Sequence, residues 1–143
     1  MKLKLAFCVV GIGICLIGCT PKEQNAKPKG TTAMKQEGGP KTLPEALQQL
    51  TGHSETISKA FTSNKPDDAH HALHDVDYLL PSIPELAKDL TDEKKEVVTK
   101  SVAELSECFK ALDLSMHGGT DTPYSKVGDR ITAALASLKT ATE

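Results

Sequence analysis

The chain has 143 residues, a formal net charge of −2, 3% aromatic residues and no tryptophan. Its charges are segregated: residues 20–42 carry five lysines against two glutamates, whereas residues 43–143 carry ten basic and seventeen acidic side chains. An acidic, aromatic-poor domain without a basic stripe argues against a nucleic-acid partner, which requires clustered positive charge. The 101 residues after position 42 suffice for one domain.

Residues 1–18 have the pattern of a signal peptide. Lys2 and Lys4 give a charged start, and residues 5–17 form a mainly apolar run of thirteen positions. That run is too short to cross a bilayer, which takes about 20 residues in a helix. We therefore predict that this segment directs export and is removed.

The run ends in Leu16-Ile17-Gly18-Cys19, which resembles the lipobox of bacterial lipoproteins. The resemblance implies cleavage before Cys19, a diacylglycerol on its sulfur and a further acyl chain on its amine. Several acyl chains anchor a protein stably, at about 0.8 kcal/mol per buried CH₂. The expected location is the periplasmic side or the cell surface, and Thr20 after the cysteine favours the outer membrane by analogy with enterobacterial sorting. The alternative is an ordinary secretory signal that contains a cysteine.

Residues 19–42 are predicted to be the lipidated cysteine and a flexible tether. Residues 20–42 contain three prolines and three glycines but no Leu, Ile, Val or Phe. Such a segment cannot bury enough apolar surface to offset its ordering entropy, and its r.m.s. reach is about 25 Å. Its positive charge suits the anionic headgroups of a membrane.

From residue 43 onward the apolar residues recur at alternating steps of four and three, which predicts packed helices and no strands. The first helix follows Thr42-Leu43-Pro44-Glu45, a capping box with proline in the first turn. The second begins near Pro66. It must kink or restart at Pro81-Ser82, because proline provides no backbone N–H there.

The third predicted helix opens at Thr91 and closes at Gly118-Gly119, and the fourth opens at Thr122-Pro123. Each helix also has a third row of core-side residues, which is typical of a bundle rather than a dimeric coiled coil. Residues 43–143 are therefore predicted to form a monomeric, all-α, up-down-up-down four-helix bundle. Gly128 is expected to leave a gap in the fourth helix.

Two resemblances concern this domain. Residues 45–90 resemble the first two helices of small periplasmic b-type cytochrome bundles, in positions that include Leu50, Ile57 and Lys59-Ala60. Those bundles bind haem through a methionine in the first helix and a histidine late in the fourth, whereas this chain has Leu47 and no histidine in residues 122–143. The resemblance thus implies the architecture alone. Haem binding remains a remote alternative that would need His53 or His74 to find another partner.

The second resemblance is to uncharacterised helical lipoproteins of planctomycete-type bacteria, in the runs 69–76, 80–86 and 116–119. It implies no activity. The chain has no His-Glu-x-x-His, Gly-x-Ser-x-Gly or phosphate-binding glycine loop, so we expect no enzyme. The predicted function is a non-catalytic binding or accessory module of the cell envelope, whose partner is an envelope protein or a small ligand.

The alternative function is binding of Zn or Cu. The sequence by itself establishes no cofactor. All five histidines are predicted to lie in the half of the bundle away from the tether. His70 and His74 are one helical turn apart, so both can reach one ion about 2 Å from each nitrogen. His117, one turn after Asp113, could complete the site, and His53 lies in a core-side row. Histidines that are merely solvated, or hydrogen-bonded in the interior, are the competing interpretation.

Cys108 is the one cysteine beyond the signal and the lipobox. A single thiol cannot close a disulfide within the domain, so the fold must depend on its core. Its expected role is that of a small buried hydrophobic residue.

Overall fold

The structure, a computed structural model, describes residues 38–143. The predicted signal peptide, Cys19 and most of the tether therefore lie outside the described residues. The domain is all-helical, as predicted, with no strand between residues 38 and 143. Its five α-helices are α1 (Leu43–Thr62), α2 (His70–Leu79), α3 (Ser82–Leu86), α4 (Asp92–Met116) and α5 (Gly128–Thr142). In this part of the chain, no helix combines the length and the apolar character needed to cross a membrane.

The helix starts at α1 and α4 are capped by threonine side chains. Thr42 Oγ1 accepts a hydrogen bond from the Glu45 N–H, and Thr91 Oγ1 accepts one from the Lys94 N–H, both at 3.4 Å. Each cap satisfies a donor that the first helical turn leaves free and stabilises the helix by about 1 kcal/mol. The Glu45 carboxylate accepts from the Lys41 N–H at 2.9 Å rather than from Thr42, so the predicted capping box forms in one direction.

The predicted restart at Pro81-Ser82 is confirmed. Helix α2 ends at Leu79 and α3 begins at Ser82, because the proline cannot donate the next helical hydrogen bond. The Ser82 hydroxyl donates to the Leu79 carbonyl at 2.7 Å and so satisfies one acceptor at the end of α2.

The second and fourth helical segments begin near the predicted residues, but their first turns are 3₁₀ rather than α-helical. Short 3₁₀ helices at Pro66–Ala69 and Tyr124–Lys126 come first, and the α-helices begin only at His70 and Gly128. Val127, with φ −118°, separates the second 3₁₀ turn from α5. Its N–H donates to the Tyr124 carbonyl at 3.0 Å in the 3₁₀ turn, whereas its carbonyl accepts the first α-helical hydrogen bond, from the Ile131 N–H at 2.9 Å.

One buried cluster takes apolar side chains from all five α-helices. The largest apolar side chains with almost no exposed surface are those of Leu50, Ile57, Val76, Ile83, Val98, Leu105, Leu112, Ile131 and Leu138. These positions belong to the apolar rows that the periodicity predicts. Ser54 and Ser101 are the polar residues buried among them.

The gap expected at Gly128 does not exist, because the Tyr124 side chain fills it. A Cβ at Gly128 would lie 2.7 Å from Tyr124 Cε1. The Tyr124 ring also stacks on Phe61, with centroids 6.1 Å apart. This contact joins the last turn of α1 to the segment that leads into α5.

Candidate functional site

The first two turns of α2 bring one imidazole nitrogen of His70 close to one of His74. The Nε2 atoms of His70 and His74 are 3.2 Å apart, and the rings meet edge-on with centroids 4.6 Å apart. An ion bound about 2.05 Å from each of two nitrogens 3.2 Å apart would subtend an angle of about 100°. This angle lies near the tetrahedral value, so the distance is compatible with chelation of one ion. Without an ion, it is the length of a hydrogen bond in which one Nε2–H donates to the other Nε2.

A third histidine reaches the pair from α4. The His117 ring centroid is 5.4 Å from that of His70, at an angle of 69°. His117 caps the end of α4, and the Gly119 N–H donates to the Leu114 carbonyl at 2.8 Å in a Schellman-type turn. Gly118 supplies the positive φ of 78° that this turn requires. The turn thereby holds His117 beside α2.

Asp113, one turn before His117, adds a carboxylate to the histidine end. Its Oδ1 atom is 3.5 Å from His117 Nε2, and no group in residues 38–143 donates a hydrogen bond to this buried oxygen. Asp113 is not one of the site residues predicted from the sequence. The available signal was its four-residue spacing to His117, which places the two side chains on one helix face.

His53 and His71 are not part of this group of side chains. His53 Nδ1 lies 3.8 Å from Asp75 Oδ2, and His53 takes part in none of the ring contacts among the other histidines. The structure therefore does not bring it to the group formed by His70, His74 and His117. His71 is exposed, and its ring centroid is 6.0 Å from that of His70.

Cys108 lies in the core, with no exposed surface. Burial raises the pKa of its thiol, and the nearby Arg130 opposes this shift without cancelling it. Because metals bind the thiolate, a cysteine held in the thiol form is a poor ligand. The predicted role as a small buried hydrophobic residue agrees with this placement.

Within the described residues, no three or more His, Cys, Asp or Glu side chains are already arranged to hold a metal ion. The nearest approach to such a site is the hydrogen-bonded pair His70 and His74. The His117 side chain has 54% of its surface exposed, so its ring has room to turn toward that pair. What the arrangement offers chemically is a two-nitrogen chelate with a third imidazole and a carboxylate beside it.

A second feature lies at the other ends of α1 and α5. An open groove of about 760 Å³ runs between them and is lined in part by Leu43, Leu47 and Leu135. It is lined mainly by apolar atoms and carries no histidine. Its chemistry therefore differs from that of the histidine end.

Comparison with protein-family models, curated proteins and solved structures finds no match to this chain. The resemblances to helical lipoproteins and to b-type cytochrome bundles thus stay predictions from the sequence.

Proposed function

We propose that this chain is a lipoprotein of the bacterial cell envelope, anchored through Cys19, and that its helical domain is a non-catalytic module that binds Zn²⁺ or Cu²⁺. His70 and His74 chelate the ion and His117 joins them. The observation that carries this proposal is the 3.2 Å separation of the Nε2 atoms of His70 and His74. The two imidazoles are exposed or half-buried, and a bound ion would replace the hydrogen bond that joins their Nε2 atoms.

The proposal extends to the arrangement of the helices. With α2 and α3 as two parts of one arm, α1, the α2–α3 arm, α4 and α5 would form the up-down-up-down bundle. Two contacts support it: Phe61 with Tyr124, and His70 with His117. Both join the end of one arm to the start of another, as this topology requires.

The choice of ion follows from the ligands and the compartment. Imidazole nitrogen suits Zn and Cu, whereas Mg and Ca prefer oxygen ligands. The half-exposed His117 leaves the site open to solvent, so an ion can enter from outside the domain. Export through the predicted signal peptide would place the site where envelope metal ions are available. A binding or sensing role for the tethered module fits these features better than catalysis does.

The metal proposal predicts that the chain, purified without a histidine tag, binds one equivalent of Zn²⁺ or Cu²⁺ at pH 7.5. His74→Ala should weaken binding at least about tenfold, as loss of a ligand or of its support does. Isothermal titration calorimetry measures both affinities. At a hundredfold excess of ion over Kd, the bound ion should also stabilise the wild-type fold by about 2.7 kcal/mol.

His71→Ala is the matched control, because His71 neighbours the pair on the same helix but its ring lies apart from it. This variant should bind within about twofold of wild type. Equal losses in the two variants, or no binding by wild type, would contradict the proposal.

The anchor is tested separately. Cys19→Ser should release the protein from the membrane fraction or leave the signal uncleaved, since serine offers no sulfur for the diacylglycerol. Fractionation and intact-mass measurement show which form is present. Membrane-bound and normally processed Cys19→Ser protein would show that the chain is not a lipoprotein.

A further inference from the structure

One oxygen of the Asp113 carboxylate is buried without a hydrogen-bond donor, although the side chain as a whole keeps 35% of its surface exposed. Its Oδ1 atom is buried and, in the described part of the chain, accepts no hydrogen bond. Burying a charged oxygen without a donor is unfavourable, because its hydration is lost and nothing replaces it. The nearest cationic candidate is His117 Nε2 at 3.5 Å, which is too far for a good hydrogen bond.

The position of Asp113 on its helix is also unfavourable. It lies in the last turn of α4, a turn without a basic residue. The free carbonyl groups there give the helix end a partial negative charge, which repels a carboxylate. Asp92 and Glu93, by contrast, lie in the first turn of the same helix, where the helix end attracts them. Asp113 therefore has two local reasons to attract a cation.

The cation-binding groups of the proposed site stand next to this carboxylate. His117 links the two: its Nε2 faces Asp113, while its ring packs against His70. We propose, on the basis of the proposed function, that Asp113 is the fourth ligand of the ion held by His70, His74 and His117. The site then has three imidazole nitrogens and one carboxylate oxygen.

This set of ligands selects the class of ion. Carboxylate oxygen is a hard ligand that favours divalent ions, whereas Cu⁺ prefers soft thiolate or thioether ligands. One anionic ligand also offsets half of the charge of a divalent ion. The ion that suits the site is therefore Zn²⁺ or Cu²⁺ rather than Cu⁺. Because its ligands come from α2 and from the end of α4, the bound ion ties these two helices together.

The experiment compares Asp113→Asn with wild type, both as the full chain without a histidine tag. Zn²⁺ affinity is measured by calorimetry and Cu⁺ affinity by competition with a chromogenic chelator under anaerobic conditions. Asp113→Asn should weaken Zn²⁺ binding about 10- to 100-fold, while Cu⁺ affinity stays within about threefold. Without metal, the variant should melt at the same temperature as wild type or higher, because the buried Oδ1 atom without a donor no longer belongs to a charged group.

Asp77→Asn is the matched control, since it removes the same charge from an exposed position on α2, three residues after His74. It should leave Zn²⁺ affinity within about twofold of wild type. Unchanged Zn²⁺ binding by Asp113→Asn, or equal weakening in both variants, would overturn the role of Asp113 as a ligand. A lower melting temperature of metal-free Asp113→Asn would also overturn it, by showing that the carboxylate is already paired. If wild type binds no Zn²⁺, the proposed function itself fails.

Discussion

Phe109 and Asp113 stand one turn apart on α4, and their surroundings differ. Phe109 is 4% exposed within the buried apolar cluster, whereas Asp113 has a buried oxygen without a hydrogen-bond donor. On this helix, Phe109 packs into the apolar core, whereas the C-terminal turn carries a buried carboxylate oxygen without a hydrogen-bond donor. Stability is expected to come from the first region, and ligand binding from the second.

The largest expected effect tests the first half of this comparison. Phe109→Ala should lower the free energy of unfolding by about 3–5 kcal/mol, because it removes a buried ring and leaves a cavity. That loss is a large share of the stability of a domain of this size. Urea denaturation followed by circular dichroism measures it. A loss below 1 kcal/mol would mean that Phe109 does not hold the core together.

A smaller effect is expected at the boundary between the two regions. Gly118 has a φ of 78°, so Gly118→Ala should cost about 1–2 kcal/mol through the clash of a Cβ in this conformation. Gly52 is the matched control, because it lies within α1 and an added Cβ meets nothing within 4 Å. Gly52→Ala should stabilise the fold by about 0.5–1 kcal/mol. Effects of the same sign in the two variants would contradict the geometry of the turn that holds His117.

Much of the core could be predicted from the sequence, and the reason is periodicity. Leu50 and Ile57 on α1, and Leu105 on α4, belong to rows of apolar residues at helical spacing. This spacing alone fixes which face of a helix is buried. The starts of α2 and α5 could not be predicted in this way. The choice between a 3₁₀ turn and an α-helical turn depends on one or two backbone angles, such as those of Val127.

The residues of the candidate site could be predicted from helical spacing only in part. Helical spacing is enough to pair His70 with His74, but the approach of His117 depends on how α4 packs beside α2. The Tyr124 ring that fills the space at Gly128 also stacks on Phe61, and this contact likewise depends on packing between segments that are distant in the sequence. The lack of a donor for Asp113 has no sequence signature, because it depends on every neighbour in space.

In the proposed function, His70, His74 and His117 bind one metal ion. The most direct measurement is long-range ¹H–¹⁵N NMR of the imidazole nitrogens during a Zn²⁺ titration at pH 7.5. The ring nitrogens of these three histidines should shift strongly and reach their final positions at one equivalent, with little change at His53 and His71. Equal shifts at all five histidines, or no shift at any, would contradict it.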